Sequence, residues 1–144
     1  MRYHNITKDD MLNGEGLRTV LWVAGCSHHC PQCHNPVTWD INGGLVFDEQ
    51  AKEELFEELK KDYVSGVTFS GGDPFHLENR EEIGALAKEI REKFPDKTIW
   101  LYTGYEWEEI CHLSFLSNID VIVDGKFKIE EKDNNLHWKG SANQ

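Results

Sequence analysis

Basic residues are scarce in this chain. Fifteen Lys and Arg stand against 26 Asp and Glu, a formal net charge of −11. So acidic a surface repels phosphate backbones and anionic lipid heads, which argues against nucleic acid and membrane surfaces as partners. Long apolar runs are also missing: none approaches the ~20 residues of a membrane span. The opening stretch, Met1-Arg2-Tyr3-His4-Asn5-Ile6-Thr7-Lys8-Asp9-Asp10, has no apolar core of a secretory leader. No repeat, low-complexity tract or linker-like stretch interrupts the 144 residues. At roughly 100–200 residues per domain, the expectation is one domain over 1–144. A hydrophobic fraction of 39% with 11% aromatics is enough for a folded core and excludes a disordered chain. These features together describe a small soluble protein of the cytoplasm.

Cysteine is sparse but unevenly placed. Of 4 cysteines, Cys26, Cys30 and Cys33 crowd together and Cys111 stands far off. A disulfide framework needs an oxidising compartment and a route to it, and neither is visible. Clustered thiols in a reducing cytosol are more often metal ligands or redox groups.

What is present is an alternation of strands and helices. Arg18–Val23 is short, apolar and β-prone, a buried strand that runs straight into the cysteine cluster. Asp48 can cap a helix whose Ala51, Leu55 and Leu59 share one face. Gly66–Phe69 reads as a second strand, ending in Ser70-Gly71-Gly72-Asp73-Pro74. Asn79 with Glu82 resembles a capping box. The helix it opens carries Ile83, Leu86, Ala87 and Ile90 on one stripe and stops near Pro95. Thr98–Tyr102 is a third strand, Trp107, Ile110 and Leu113 mark a third helix, and Ile119–Val123 is a fourth strand ending at Asp124-Gly125. This order implies right-handed βαβ units: an α/β fold with a mostly parallel sheet. A closed eight-fold barrel needs ~250 residues, so any barrel here is partial and open. The Cys cluster, the Gly-Gly turn, Thr103-Gly104 and Asp124-Gly125 all fall at the C-terminal ends of strands, the edge where such sheets bind ligands.

Cys26-x3-Cys30-x2-Cys33 offers three thiolates on one loop. Three ligands hold three corners of a cubane iron–sulfur cluster and leave one iron open, whereas a closed electron-transfer cluster takes four cysteines. The alternatives are a zinc site completed by His28, His29 or His34, and a loop without metal. His34 follows Cys33 directly, which makes joint binding of one metal by both awkward. The Ser70–Pro74 turn has two readings as well. Consecutive glycines let main-chain groups approach a ligand closely, or the segment is a plain turn whose exit Pro74 restricts.

The C-x3-C-x2-C spacing resembles the radical S-adenosylmethionine (SAM) superfamily. Asn13-Gly14-Glu15-Gly16-Leu17-Arg18, the cysteine loop with Cys33-His34-Asn35, and Thr38-Trp39-Asp40 resemble the activases of glycyl radical enzymes. Ser70–Pro74, Trp100 with Thr103-Gly104-Tyr105, Val123–Phe127 and Trp138–Gln144 are similar to the branch that serves the anaerobic (class III) ribonucleoside-triphosphate reductase. The likeness runs in order along nearly the whole chain.

That resemblance implies a radical-SAM-type partial, open (β/α) barrel and a [4Fe–4S] cluster held by Cys26, Cys30 and Cys33. It further implies SAM bound at the unique iron and cleaved by one electron to methionine and a 5′-deoxyadenosyl radical, which takes hydrogen from a glycine Cα of the reductase. Gly72, with Gly71 and Asp73, would contact the methionine end of SAM. Gln32 stands where the superfamily commonly has an aromatic residue near the adenine, and Cys33 and His34 flank the same place. His34 also matches the formate-lyase-type activases, which keeps activation of another glycyl radical enzyme as an alternative. A non-catalytic zinc-binding docking module is the alternative from a different class. The electron donor implied is a flavodoxin-type or comparable low-potential protein.

Other residues carry plainer expectations. Asp124 reads as a SAM or cation contact or as a turn aspartate. Asn13–Gly16 reads as a turn into the first strand that could also touch the partner. Trp22, Trp39, Trp100, Trp107 and Trp138 read as core or interface anchors. Cys111 reads as a small buried thiol, and the acidic run 48–58 as a solvated helix face.

Overall fold

The computed structural model of the protein describes residues 1–26, 28, 39–125 and 143. In chain order the elements are β1 (Arg2–Asp10), β2 (Arg18–Val23), β3 (Leu45–Val46), α1 (Glu49–Leu59), β4 (Gly66–Gly71), α2 (Arg80–Lys93), β5 (Thr98–Tyr102), α3 (Trp107–Ile110), a 3-10 turn (Ser114–Asn118) and β6 (Val121–Val123). Six strands form one mostly parallel sheet in the order β3-β1-β2-β4-β5-β6. From β2 to β6 every pairing is parallel, in register Leu21↔Phe69, Phe69↔Leu101 and Leu101↔Ile122. β1 and β3 add an antiparallel flank. The sheet is open, with β3 and β6 as its outer strands.

The core follows from strand alternation. Leu21, Val23, Val67, Phe69, Ile99 and Leu101 point to one face and pack with Leu55 and Leu59 of α1 and with Ile83, Leu86, Ala87 and Ile90 of α2. These are the helical stripes the sequence predicts. Each such side chain taken fully out of water contributes about 1.5–3 kcal/mol. The opposite face is polar at its lower end, where Arg18 is buried between Thr68 and Trp100. The loop after β1 folds across it. Thr68 Oγ1 donates to Asn13 O at 2.7 Å. A β-carbon on Gly14, whose φ is +133°, would stand 2.7 Å from Arg18 Cδ and 3.1 Å from the Trp100 ring. The turn expected at 13–16 is therefore also the floor of this face.

Several expectations change. β1 is a strand the sequence does not announce: of its nine residues only Ile6 is buried. It is held by pairing with β2 and by Trp22 Nε1 donating to Thr7 Oγ1 at 3.0 Å. Asp48 caps α1 as expected, accepting from Ala51 N at 2.9 Å. Asn79 precedes α2 but makes no side-chain cap bond. Its Nδ2 donates instead to Ala24 O at 2.8 Å. The third helix ends at Ile110 after one turn, and the last strand starts at Val121 rather than Ile119. Cys111 is exposed, not buried. Trp100 is buried, whereas Trp107 is 49% exposed; Trp138 lies outside the described residues. Along α1 the acidic face is solvated except at Glu58, which is buried and paired with Lys61.

Candidate functional site

β2, β4, β5 and β6 run in one direction, so their exits meet on one edge. β2 leads through Ala24 and Gly25 to Cys26, a half-buried thiol whose amide donates to Trp39 O at 3.1 Å. Beside it β4 ends in the Gly-Gly-Asp turn. Gly71 has φ +101°, and a β-carbon there would meet Val23 N at 2.6 Å and Val23 O at 2.7 Å. Only glycine allows the two backbones to lie this close. The pairing continues past the sheet: Gly72 N donates to Val23 O at 2.8 Å and Asp73 N to Gly25 O at 2.7 Å. Asn79, fully buried, closes the seam by donating to Ala24 O. The cysteine loop and the Gly-Gly-Asp turn thus leave the sheet as one hydrogen-bonded unit.

Asp73 is the centre of that unit. Its carboxylate is buried, and each oxygen accepts two bonds. Oδ1 takes Phe75 N at 2.9 Å and Thr103 Oγ1 at 2.8 Å. Oδ2 takes His28 Nε2 at 2.6 Å and Gly104 N at 3.0 Å. A buried carboxylate is tolerable because it is satisfied in this way. Three strand exits are joined at one group: β2 through His28, β4 through Asp73 itself, and β5 through Thr103 and Gly104. The His28 ring packs edge-on against Tyr105 at 4.6 Å between centroids, and the Arg80 guanidinium lies 5.3 Å from the Tyr105 ring.

Burial perturbs two groups of the sheet, Tyr102 at the end of β5 and Arg18 at the opposite end of the sheet from the site. Burial raises the Tyr102 hydroxyl, with Asp10 adding to the shift, so Tyr102 is neutral at ordinary pH. Burial lowers Arg18 to about 10, and it remains a cation at neutral pH. At the β6 exit Asp124 Oδ2 accepts Trp107 N at 2.9 Å, a cap on α3.

Of the residues singled out from sequence, Cys26, Gly71, Gly72 and Asp73 are brought together here. Cys30, Cys33, Gln32 and His34 lie outside the described residues. In the sequence His28 stands out only as a possible zinc ligand, Thr103-Gly104 only as a strand exit on the ligand edge and Asn79 only as a helix cap; the structure joins all of them to Asp73 and the β2 exit. The signal for Thr103-Gly104 was its place at a strand exit. For Asn79 a capping pattern concealed the longer-range role. The donor chemistry suits an iron–sulfur loop: a half-buried thiol at a strand exit, on backbone that is tied down on its N-terminal side, is a well-placed soft ligand.

Comparison with known proteins agrees with this chemistry. Residues 12–144 match the model of a family described as a 4Fe-4S single cluster domain. The chain is 44% identical over 144 residues to an anaerobic ribonucleoside-triphosphate reductase-activating protein of Enterobacteria phage T4, spanning 100% of this chain and 92% of that one. Proteins of the same description from Haemophilus influenzae and Escherichia coli (strain K12) are each 39% identical over 148 residues, spanning 100% of this chain and 96% of theirs.

Proposed function

This chain belongs to the family of anaerobic ribonucleoside-triphosphate reductase-activating proteins, and on that premise we propose that it is a radical SAM activase that installs a glycyl radical on the anaerobic ribonucleoside-triphosphate reductase. The observation that carries the reading is the fusion of the Cys26 loop with the Gly-Gly-Asp turn on one sheet edge. Cys26, Cys30 and Cys33 would hold a [4Fe–4S] cluster. With SAM on its open iron, the chemistry supplied would be one-electron cleavage of the sulfonium to methionine and a 5′-deoxyadenosyl radical, which takes hydrogen from a glycine Cα of the reductase.

The rest is the work of this chain's own residues. The turn at Gly71 and Gly72 offers main chain, not side chains, to the methionine end of SAM. Asp73 acts there by holding the turn, because both its oxygens are already engaged inside the protein. Gln32 and His34, which flank the third cysteine in the sequence, would be the candidates for contact with the adenine. The open, mostly parallel sheet is compatible with a partial, open (β/α) barrel in one domain over 1–144, and that is the architecture proposed. Its unclosed side leaves room for a protein substrate to complete the site and keep out water. A flavodoxin-type donor in the cytoplasm would supply the electron.

The test is anaerobic reconstitution with iron and sulfide, then reduction with SAM in the presence of the reductase from the same cell. Methionine, 5′-deoxyadenosine and a glycyl radical signal on the reductase are expected, with little signal on formate lyase. A protein that retains zinc and takes up no iron, or an intact cluster that yields no 5′-deoxyadenosine, overturns the proposal.

A further inference from the structure

Asp73 grips the chain on both sides of Cys26. On the N-terminal side its amide donates to Gly25 O at 2.7 Å. On the C-terminal side its carboxylate accepts from His28 Nε2 at 2.6 Å, with the two side chains 7% and 2% exposed. A carboxylate only accepts, so Nε2 carries the proton of this bond. The ring is seated as well as bonded. A β-carbon on Gly104 would stand 2.4 Å from His28 Cδ2, 2.7 Å from Nε2 and 2.9 Å from Cγ. The space that the imidazole fills exists because residue 104 has no side chain. Tyr105 closes the other side.

We propose that His28 is a positioning residue: bonded to Asp73 and lodged against Gly104, it fixes the cysteine loop to the Gly-Gly-Asp turn and so sets the cluster site relative to the SAM site. The inference rests on the reading of this edge as a cluster and SAM site. Among the described residues, loss of the His28 bond leaves the bonds to Val23 O, Ala24 O and Gly25 O, all before Cys26, as the hydrogen bonds between this loop and the turn segment. The two halves of the site could then shift against one another, and a ligand held by both would need them in one arrangement. His28 here is not a metal ligand, and its role does not depend on a change of its charge.

The test uses the full chain with His28→Ala, His28→Gln, Gly104→Ala and the His28→Ala/Gly104→Ala pair. In the reconstituted, reduced protein, SAM affinity is read from the change in cluster electron paramagnetic resonance during titration with SAM. His28→Ala should retain iron and bind SAM at least tenfold more weakly, and His28→Gln, which keeps an N–H donor, should recover most of that loss. Gly104→Ala should behave like His28→Ala by expelling the ring. Added to His28→Ala it should cause no further loss, because the atoms its methyl would strike are gone. In the iron-free protein, the Gly104 amide should exchange hydrogen at least tenfold faster in His28→Ala and near the normal rate in His28→Gln.

SAM titrations of His28→Ala that match the wild type overturn the inference. So do losses from His28→Ala and Gly104→Ala that multiply as independent effects, and so does loss of iron from both His28 variants, which would make His28 a ligand. Failure of the wild-type protein itself to bind SAM would strike the proposed function instead.

Discussion

The guanidinium of Arg18 lies 5.5 Å from the centre of the Trp100 ring, at the lower end of the polar face of the sheet, with no surface exposed to solvent. Among the described residues its hydrogen bonds go to neutral oxygens, while Asp120 and Glu15 favour its charge through space. Nε donates to Thr68 Oγ1, Nη1 to Glu15 O and Thr98 Oγ1, and Nη2 to Val67 O and Thr98 O, all between 2.7 and 3.0 Å. The fan joins the starts of β2, β4 and β5 to the loop before β2. It mirrors at the bottom of the sheet what Asp73 does at the top.

Arg18→Ala should therefore cost at least about 1–3 kcal/mol, since it takes a donor from the buried oxygens of Thr68 and Val67. Arg18→Lys should recover only a small part, because an ammonium has three donors and no planar fork. Urea unfolding of the iron-free protein measures both. A loss under 1 kcal/mol for Arg18→Ala would show that the fan is not what ties the strand starts together.

Gly71→Ala should destabilise the same iron-free protein by at least about 1–3 kcal/mol from backbone strain at positive φ, with the contact against Val23 adding to it. Because the next two amides bond to the β2 exit, the variant should also hold iron poorly after reconstitution. An unfolding midpoint equal to that of the wild type would remove the close approach of β2 and β4 as the reason for glycine here.

The four cysteines should separate cleanly. Cys26→Ala, Cys30→Ala and Cys33→Ala should each lose the intact cluster and the glycyl radical, and combining them should add little, because the three act as one unit. Cys111→Ala should keep iron and activity. Cys111 is exposed at the end of α3, its Sγ 3.8 Å from Glu108 O, so the stability change should fall within about 0.5 kcal/mol. Iron content and electron paramagnetic resonance across the four variants decide the matter. Iron loss from Cys111→Ala would mean a fourth protein ligand and no open iron.

Glu89 gives a pH signature. It bonds Lys52 across the α1–α2 groove at 3.0 Å and Lys93 one turn on at 3.3 Å. The Lys52 bond is the main cause holding its carboxyl below the usual value. The folded state therefore favours the ionised form. Its stabilisation is complete above the unfolded carboxylate range and fades as pH falls through the lowered folded value. Glu89→Gln should cost up to about 1 kcal/mol at pH 7, allowing for solvent screening, and the gap to the wild type should close under acid conditions. A gap that persists undiminished at pH 2 would point to packing rather than charge.

Residues with strong local patterns were legible from sequence alone. Leu55 and Leu59 mark the buried stripe of α1, Ile83 to Ile90 that of α2, and Thr98–Tyr102 bounds β5, because apolar periodicity is a property of neighbours in the chain. The Gly-Gly-Asp turn was legible for the same reason, since a tight turn is a short-range device, and the cysteine spacing agrees with the 4Fe-4S family that the chain matches. The tertiary structure decided what depends on distant approach. β1 exists because β2 offers it an edge, although its own side chains are mostly polar. Asn79 looked like a cap and became a clasp, because Ala24 O, 55 residues away, needed a donor. Arg18 enters the sequence pattern only as the first residue of the Arg18–Val23 strand, and the fold makes it a buried junction. His28 found Asp73 across 45 residues, in a space that the missing side chain of Gly104 leaves open. Such choices are made by buried polar groups that must find partners wherever the fold brings them, and local sequence does not encode that demand.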